Sequence, residues 1–420
     1  MGKRIWIVNY YTGTPLTQSN PRYLKLARHF MDAGYEVLTF NSALSSRTLE
    51  EQRQNAQPFL ERTYGDYRFV HINAPAYQGN GIRRMFSIWK FAVMMKRAAK
   101  RFPRPDIILH NIHPPFDYPV VKLVKNLKAK YIAEAWDLWP EDFVTFGLVK
   151  AKNPLMKIAY SIEKKYYYAA DEIVFTFLGA FDYLKRQGWM KDQGGKIDPA
   201  HLHYINNGID LDQFDIDKTK YTRPDPDLND PSLKKIIYLG SINKANNVKA
   251  LIDAAALFEK QPEYRFFIYG NGAYRPDLMQ YVSDNRIDNV VFKEERIPFA
   301  ECAWVVSQAT VNVMNYEKGF GRWGVSSGKM FQYLAAGKPI ICNIDIAYDN
   351  VIQDNHLGIA RDISTPEGFA EAIRRLAEQS REDYDAMCAR VRETACRFDY
   401  KILAAEEIKL LESCKKLASQ

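Results

Sequence analysis

Short apolar runs alternate with stretches of helical period along the chain. The runs 5–8, 35–40, 69–72, 106–110, 131–135 and 172–177 are rich in β-branched and aromatic residues and read as strands. Between them, 21–33, 82–102 and 154–170 repeat apolar positions every three or four residues and read as helices. Gly34 stops the first of these helices, and Asn207-Gly208 makes a turn after the apolar run that follows His203. The run 215–232, rich in Asp, Pro and Lys, reads as a linker. The pattern then restarts. Strands are expected at 235–239, 264–269, 289–292, 310–314 and 340–342, and helices at 248–259, 329–336 and 382–416. Strand–helix alternation of this kind predicts βαβ units and parallel sheets, an α/β fold. The chain of 420 residues is long enough for two such domains, placed at 1–205 and 206–399.

One helix stands apart. Along 82–102, Arg83, Lys90, Arg97 and Arg101 share a face, and Met85, Ile88, Ala92, Met95 and Ala99 form the opposite one. Phe86, Trp89 and Val93 flank the basic stripe. Two readings stay open: a sheet-packing helix with a solvated basic face, or a helix that also touches an anionic membrane through Arg83, Arg84, Trp89, Lys90 and Arg97. Charge adds to the second. Up to Ala200 there are 30 Lys and Arg against 18 Asp and Glu, whereas the remainder is slightly acidic. A basic first half suits a polyanionic partner. Apolar content of 47% and charged content of 26% are those of a globular protein, and no apolar run is long enough to span a bilayer. The opening strand is too short for a signal-peptide core. Cys302, Cys342, Cys388, Cys396 and Cys414 form no C-x-x-C pair, so free thiols in the cytosol are expected, without a disulfide framework or zinc site.

The chemistry concentrates at Gly324–Ile341, GVSSGKMFQYLAAGKPII. A small-residue loop (Ser326, Ser327, Gly328) opens a helix that Gly337 and Pro339 end. Such a junction offers backbone N–H groups and the positive end of a helix dipole to an anion. Lys329 adds a cation, and Gln332 can bond a neighbouring hydroxyl. A second junction repeats the logic: strand 235–239, then Gly240, Ser241 and Lys244 before a helix. Gly270-Asn271-Gly272 follows the next strand but lacks a third glycine, so it is a weak dinucleotide signal. In the first domain, functional groups should gather at strand ends. His113, Asp137 and Glu141 occupy such positions, with Gly13 in the loop after the first strand and Arg22 on the helix beyond it. Ordinary loop or surface roles remain open for each. The pairs Asp210/Asp212 and Asn343/Asp345 read as a crossover turn and a loop end rather than a metal motif. The basic residues match no known nucleic-acid motif.

The order small loop, Lys329, Phe331-Gln332-Tyr333, Leu-Ala-Ala-Gly-Lys-Pro resembles the donor-site helix of retaining glycosyltransferases of family 4, closest to the branch that builds capsule and O-antigen polysaccharides. The Asp137-Leu-Trp-Pro-Glu141 run, the Asn207-Gly208-Ile-Asp210 crossover and Arg22-Tyr-Leu support the resemblance, which covers nearly the whole chain. It implies a GT-B fold, two Rossmann-like domains facing a cleft, with a C-terminal helix at about 400–420 returning to the first domain. The first domain would bind the acceptor through Gly13, Arg22, His113, Asp137 and Glu141. The second would bind a nucleotide sugar, a UDP-sugar, through Gly240, Ser241, Lys244, Gly270, Asn271, Gly272, Ser326, Ser327, Gly328, Lys329 and Gln332. Asp137, Lys244 and Lys329 would carry the catalytic roles, with no metal or other cofactor and no nucleic acid. The acceptor would be a glycan or a polyprenyl-diphosphate-linked glycan at the cytoplasmic face of the inner membrane. Family members pair two glutamates where this chain has Gly324 and Gln332, which bears on the donor sugar. Two alternatives follow: a glycosyltransferase-like scaffold with reduced turnover, or a nucleotide-sugar epimerase.

Overall fold

The computed structural model describes residues 2–17, 21–45, 57–77, 79, 81–145 and 147–413. Cys414 and the end of the helix expected to reach Lys416 lie outside them. The chain forms two compact units, one from Met1–Asn206 with Tyr400–Gln420, the other from Asn207–Asp399.

The first unit is built on eight strands: β1 (Arg4–Val8), β2 (Glu36–Ser42), β3 (Phe59–Tyr64), β4 (Tyr67–Ile72), β5 (Ile107–Asn111), β6 (Lys130–Ala135), β7 (Glu172–Phe175) and β8 (Leu202–Tyr204). Their order is β3-β4-β2-β1-β5-β6-β7-β8. All neighbours are parallel except β3, which runs antiparallel to β4. β3 was not among the expected strands. It is an edge strand, FLERTY, half solvated and without apolar alternation. Five helices matter below: α1 (Arg22–Asp32), α2 (Ile82–Ala98), α3 (Tyr118–Leu127), α4 (Glu141–Thr145) and α5 (Pro154–Tyr167). α3, absent from the expected set, buries Val120, Val121, Leu123 and Val124. Strand order reverses between β1 and β5. Right-handed crossovers therefore put α1 on one face of the sheet and α2, α3 and α5 on the other. The packing agrees, since α2 lies on α3 and α3 on α5.

The second unit has six parallel strands: β9 (Lys234–Leu239), β10 (Tyr264–Tyr269), β11 (Val290–Phe292), β12 (Val311–Met314), β13 (Ile340–Cys342) and β14 (Gly358–Ala360). Their order is β11-β10-β9-β12-β13-β14, reversing between β9 and β12. α6 (Val248–Ala256) follows β9 and α7 (Gly328–Ala336) precedes β13. The run 215–232 is not a bare linker. Leu211–Lys220 and Pro226–Asn229 are helical, Asp210 caps the first by accepting from the Gln213 amide, and Phe214 and Leu228 are buried. The long C-terminal helix also breaks. Arg381–Ala395 ends in one 3-10 turn, Asp399 is extended, and α8 (Tyr400–Glu412) packs on α1.

Candidate active site

In open α/β sheets, ligand sites form beyond the carboxyl ends of strands where the strand order reverses. In the second unit that point lies between β9 and β12. The Gly240 loop leaves β9 there, and Asn315-Tyr316 leaves β12. The N-terminus of α7 comes to the same place. Lys329 Nζ is 3.2 Å from Asn246 Oδ1 and 3.3 Å from the Tyr238 hydroxyl. The ammonium stands 4.7 Å from the centre of the Tyr238 ring and 5.0 Å from that of Tyr316. A Cβ on Gly240 would approach its Nζ to 3.2 Å. The two junctions singled out in the sequence thus converge, 80 residues apart along the chain. Lys329 is in no ion pair among the described residues, and desolvation pulls its ammonium down to about 8, only weakly opposed by Cys342. Lys244, on the same loop, is exposed, and its side chain has no partner among the described residues.

Several bonds fix this arrangement. The Ala245 carbonyl accepts from the Glu317 amide at 2.9 Å, and Asn315 Nδ2 donates to the Asn247 carbonyl at 3.1 Å. The Tyr238 hydroxyl donates to the Ser241 carbonyl at 2.6 Å. Asn207 Nδ2 donates to Ser326 Oγ at 3.0 Å, which ties the crossover motif to the small-residue loop. Among the described residues no side chain caps α7 at Ser327; the Met330 amide bonds the Ser327 carbonyl, and the Gly328 and Lys329 amides are left for another acceptor. Gln332 is buried, and its Oε1 has no partner among the described residues. Gly324 has φ of 102°, a conformation that strains any L side chain. A glutamate at 324 would therefore strain this backbone. Gly270 shares a positive φ, 126°, and in addition a Cβ there would stand 1.8 Å from the Gly240 carbonyl oxygen. Its role is to let two loops touch. Asn271 bonds Glu295 at 2.6 Å and borders, with Arg275, Pro276, Met279 and Gln280, a groove of about 430 Å³.

The first unit has a cavity of about 230 Å³ at its own reversal, beyond β1 and β5. Tyr11, Arg84, Asn111, Ile112, His113, Trp136, Asp137 and Trp139 line it. Arg84 Nε donates to the Tyr11 hydroxyl at 2.7 Å, and its guanidinium lies 5.2 Å from the ring centres of Tyr11 and Trp139. Asp117 accepts from the His113 amide at 2.8 Å and from its Nδ1 at 3.2 Å, which leaves Nε2 for the cavity. Burial would raise the Asp117 carboxyl, but His110 and His113 hold it well below the usual carboxylate range. Asp137 is open to the cavity mouth. The surrounding protein raises its carboxyl against the pull of His113 and Arg84.

The remaining expected residues sit elsewhere. Arg22 does not line this cavity. It is buried and donates to Glu134, Glu407 and the Ile205 and Asn206 carbonyls. Glu141 is buried outside the cavity wall and accepts from the Tyr160 hydroxyl at 2.5 Å. Gly13 is buried in the loop after β1 and does not line the cavity. Of the expected membrane contacts, Arg84 lines the cavity instead, whereas Arg83, Trp89 and Arg97 are exposed and Lys90 partly so. Tyr11, Asn111, Trp136 and Trp139 were not singled out. The reversal rule would have found the first two, had the strand order been known.

The Glycosyltransferase Family 4 model matches residues 22–213, and the Glycosyl transferases group 1 model matches residues 233–379. No curated protein matches the chain. Among solved structures, the fold is similar to sucrose-phosphate synthase from Thermosynechococcus elongatus, at 17% identity over 98% of each chain and a TM-score of 0.73. It is also similar to HepE from Anabaena in complex with UDP and glucose, at 14% identity over 98% of this chain and 100% of that one, TM-score 0.66. A third is WaaG, a glycosyltransferase involved in lipopolysaccharide biosynthesis, at 14% identity over 97% and 99%, TM-score 0.65. At these identities the likeness is one of fold.

Proposed function

The chain belongs to the glycosyltransferases of family 4 and has their GT-B fold, and from that premise we propose that it moves a sugar, with retention, from a UDP-sugar to a glycan or polyprenyl-diphosphate-linked acceptor in bacterial surface polysaccharide synthesis. The observation that carries this reading is Lys329: a desolvated ammonium at a helix N-terminus, held among the described residues by uncharged groups alone, beside the loop that bears Lys244. A diphosphate supplies the missing negative charge. As the bond from the anomeric carbon to phosphate breaks, Lys329, Lys244 and the amides of 326–328 stabilise the charge that grows on the leaving oxygen, without calling on a metal. The acceptor hydroxyl forms the new bond on the same face and gives its proton to the departing phosphate. Asp137 and His113, at the cavity of the first unit, are the groups that would bind the acceptor. The orphaned Gln332 Oε1 suits a ribose hydroxyl, which would donate to it. HepE was solved with UDP and glucose and WaaG acts in lipopolysaccharide synthesis, which supports the same donor and product class here.

The direct experiment is mass spectrometry of UDP-sugars incubated with the protein and a lipid-linked acceptor, after a thermal-shift screen selects the donor. Transfer is expected. An isomerised donor without acceptor would mean an epimerase, and an untouched donor a scaffold. Lys244→Ala is expected to weaken UDP binding roughly ten-fold, the scale of one hydrogen bond to a charged group. Its melting temperature should not move, because the side chain is exposed. Calorimetry showing undiminished affinity would remove Lys244 from the site.

A second expectation concerns pH. Free Lys329 loses its proton near 8, and a bound diphosphate raises that value, so binding takes up a proton. UDP affinity should therefore be flat below pH 7, where Lys329 is already charged. It should fall above 8, approaching ten-fold per pH unit until the bound ammonium also titrates. Titrations at pH 8 in buffers of different ionisation enthalpy would report the proton taken up. Affinity constant from pH 7 to 9 would contradict the assignment.

A further inference from the structure

No described helix is long and apolar enough to cross a membrane, yet beside the single residues Leu16 and Ile402 the first unit exposes large apolar side chains in two clusters. On α2 these are Ile82, 80% exposed, with Phe86 and Trp89 following at helical spacing. The second place was not anticipated. Leu148 is 70% exposed, and on α5 Leu155 is 71% and Ile158 58% exposed. We propose that the segment 147–158, which opens α5, is a second lipid-inserting element that works with α2 to seat the first unit on an anionic bilayer around the mouth of its cavity. This rests on the membrane reading of the acceptor and deepens it.

Three features lead there. The first is placement. In parallel βαβ units helices start at the carboxyl ends of strands, so the first turns of α2 and α5 share the rim where the cavity opens. Arg84, in the first turn of α2, lines that cavity, while Ile82 and Phe86 on either side are exposed. Tyr160 of α5 bonds Glu141, which follows the cavity residues Trp136–Trp139. With α3 between them, the two apolar patches stand roughly 20 Å apart at ordinary helix spacing. Two separated anchors fix an orientation where one would leave the unit free to pivot.

The second is charge. α2 and its continuation to Arg101 contain no Asp or Glu, nor does α3. From 147 to 168 the single acid is Glu163, which is buried. Against this stand Lys150, Lys152, Lys157 and Lys165, together with Lys122 and Lys125 on α3 and Arg83, Lys90 and Arg97 on α2. The outer surface of α2, α3 and the opening of α5 is thus cationic, with Asp137 as an exposed carboxylate at the cavity mouth, and complements an anionic surface. The third is chemistry. Nucleic acid would meet the cations but gains nothing from Leu148, Leu155, Ile158 and Ile82. A bilayer rewards both, by drawing lysines to headgroups and aliphatic side chains past them.

The test is vesicle co-sedimentation of the full chain with phosphatidylglycerol–phosphatidylethanolamine vesicles. Three proteins are compared: wild type; an α2 variant, Arg83→Glu with Lys90→Glu and Arg97→Glu; and an α5 variant, Leu148→Ser with Leu155→Ser and Ile158→Ser. The substituted side chains lie at the surface, and thermal unfolding with UDP binding checks that both variants stay folded. Wild type should pellet, and the α5 variant should bind at least ten-fold more weakly although every cation remains. If the α5 variant pellets like wild type while the α2 variant does not, the second element is refuted and membrane docking through α2 stands. Wild type that stays in the supernatant sinks both. Tight binding of wild type to single-stranded nucleic acid that the α5 variant retains, with no vesicle binding, would replace the lipid by a polyanion.

Discussion

Replacing Lys329 by methionine is expected to lower sugar transfer by about 10²–10³-fold, the loss seen when one preorganised electrostatic donor is removed from a developing oxyanion. The sign of the accompanying stability change makes the result diagnostic. In the free protein Lys329 has no carboxylate partner among the described residues, and its pKa of about 8 lies below the ordinary 10.5. Below pH 8 both folded and unfolded chains carry the proton, and the folded state bears the whole penalty of holding it. The penalty shrinks as pH rises from 8 to 10.5. It amounts to on the order of 3 kcal/mol near neutral pH. Methionine keeps the apolar stem against Tyr238 and Tyr316 while removing the charge. The free variant should melt no earlier than wild type, and it should lose most of the thermal shift that UDP gives. A lysine kept for packing would behave in the opposite way, with lower stability and undiminished nucleotide binding. That outcome would remove the anion site on which the transferase reading rests.

The convergence at Lys329 was readable because both partners announce themselves locally. A small-residue loop, a lysine and a helix start lie together at 240–248, after a strand, and again at 324–329, where the strand follows the helix. The strands at 264–269 and 340–342 were placed to the residue for a similar reason, since buried parallel strands are continuous apolar runs between breaks. What pattern could not supply is long-range pairing. That Tyr238 and Tyr316 wall the ammonium depends on β9 lying beside β12, a contact between strands far apart in sequence. Tyr11 and Asn111 meet at one cavity only because β1 lies beside β5. Arg84, expected with Arg83 as a membrane contact, lies by period off the basic stripe of α2 and bonds the Tyr11 hydroxyl instead. Composition misled at 215–232, where Asp, Pro and Lys serve as helix caps and exposed faces rather than as a loop.

Arg22 shows the cost of reading a charge without its tertiary partners, and removing it should have the largest effect on folding. Its guanidinium donates to Glu134 at 2.5 Å and to Glu407 at 3.0 Å, and both carboxylates are fully buried. It also bonds the Ile205 and Asn206 carbonyls, so one side chain joins α1, β6, the end of β8 and α8. Arg22→Met would leave Glu134 with only the Tyr23 hydroxyl and Trp136 Nε1 as donors. Breaking a buried pair from one side costs about 3–5 kcal/mol, on the order of 10 °C in melting temperature for a unit of this size. Arg22→Lys should rescue little, because a single ammonium cannot span four acceptors. Burial and the nearby Glu134 push Glu407 up to about 8 from its ordinary 4.5, against the pull of Arg22. The folded unit therefore holds a proton that the unfolded chain releases earlier, so its stability should fall as pH climbs from 4.5 toward 8. Without Arg22 the value rises further and the fall steepens. A variant that melts like wild type but needs more acceptor to reach half-maximal rate would return Arg22 to the acceptor site, and would mean that α8 is held to α1 by its apolar contacts alone.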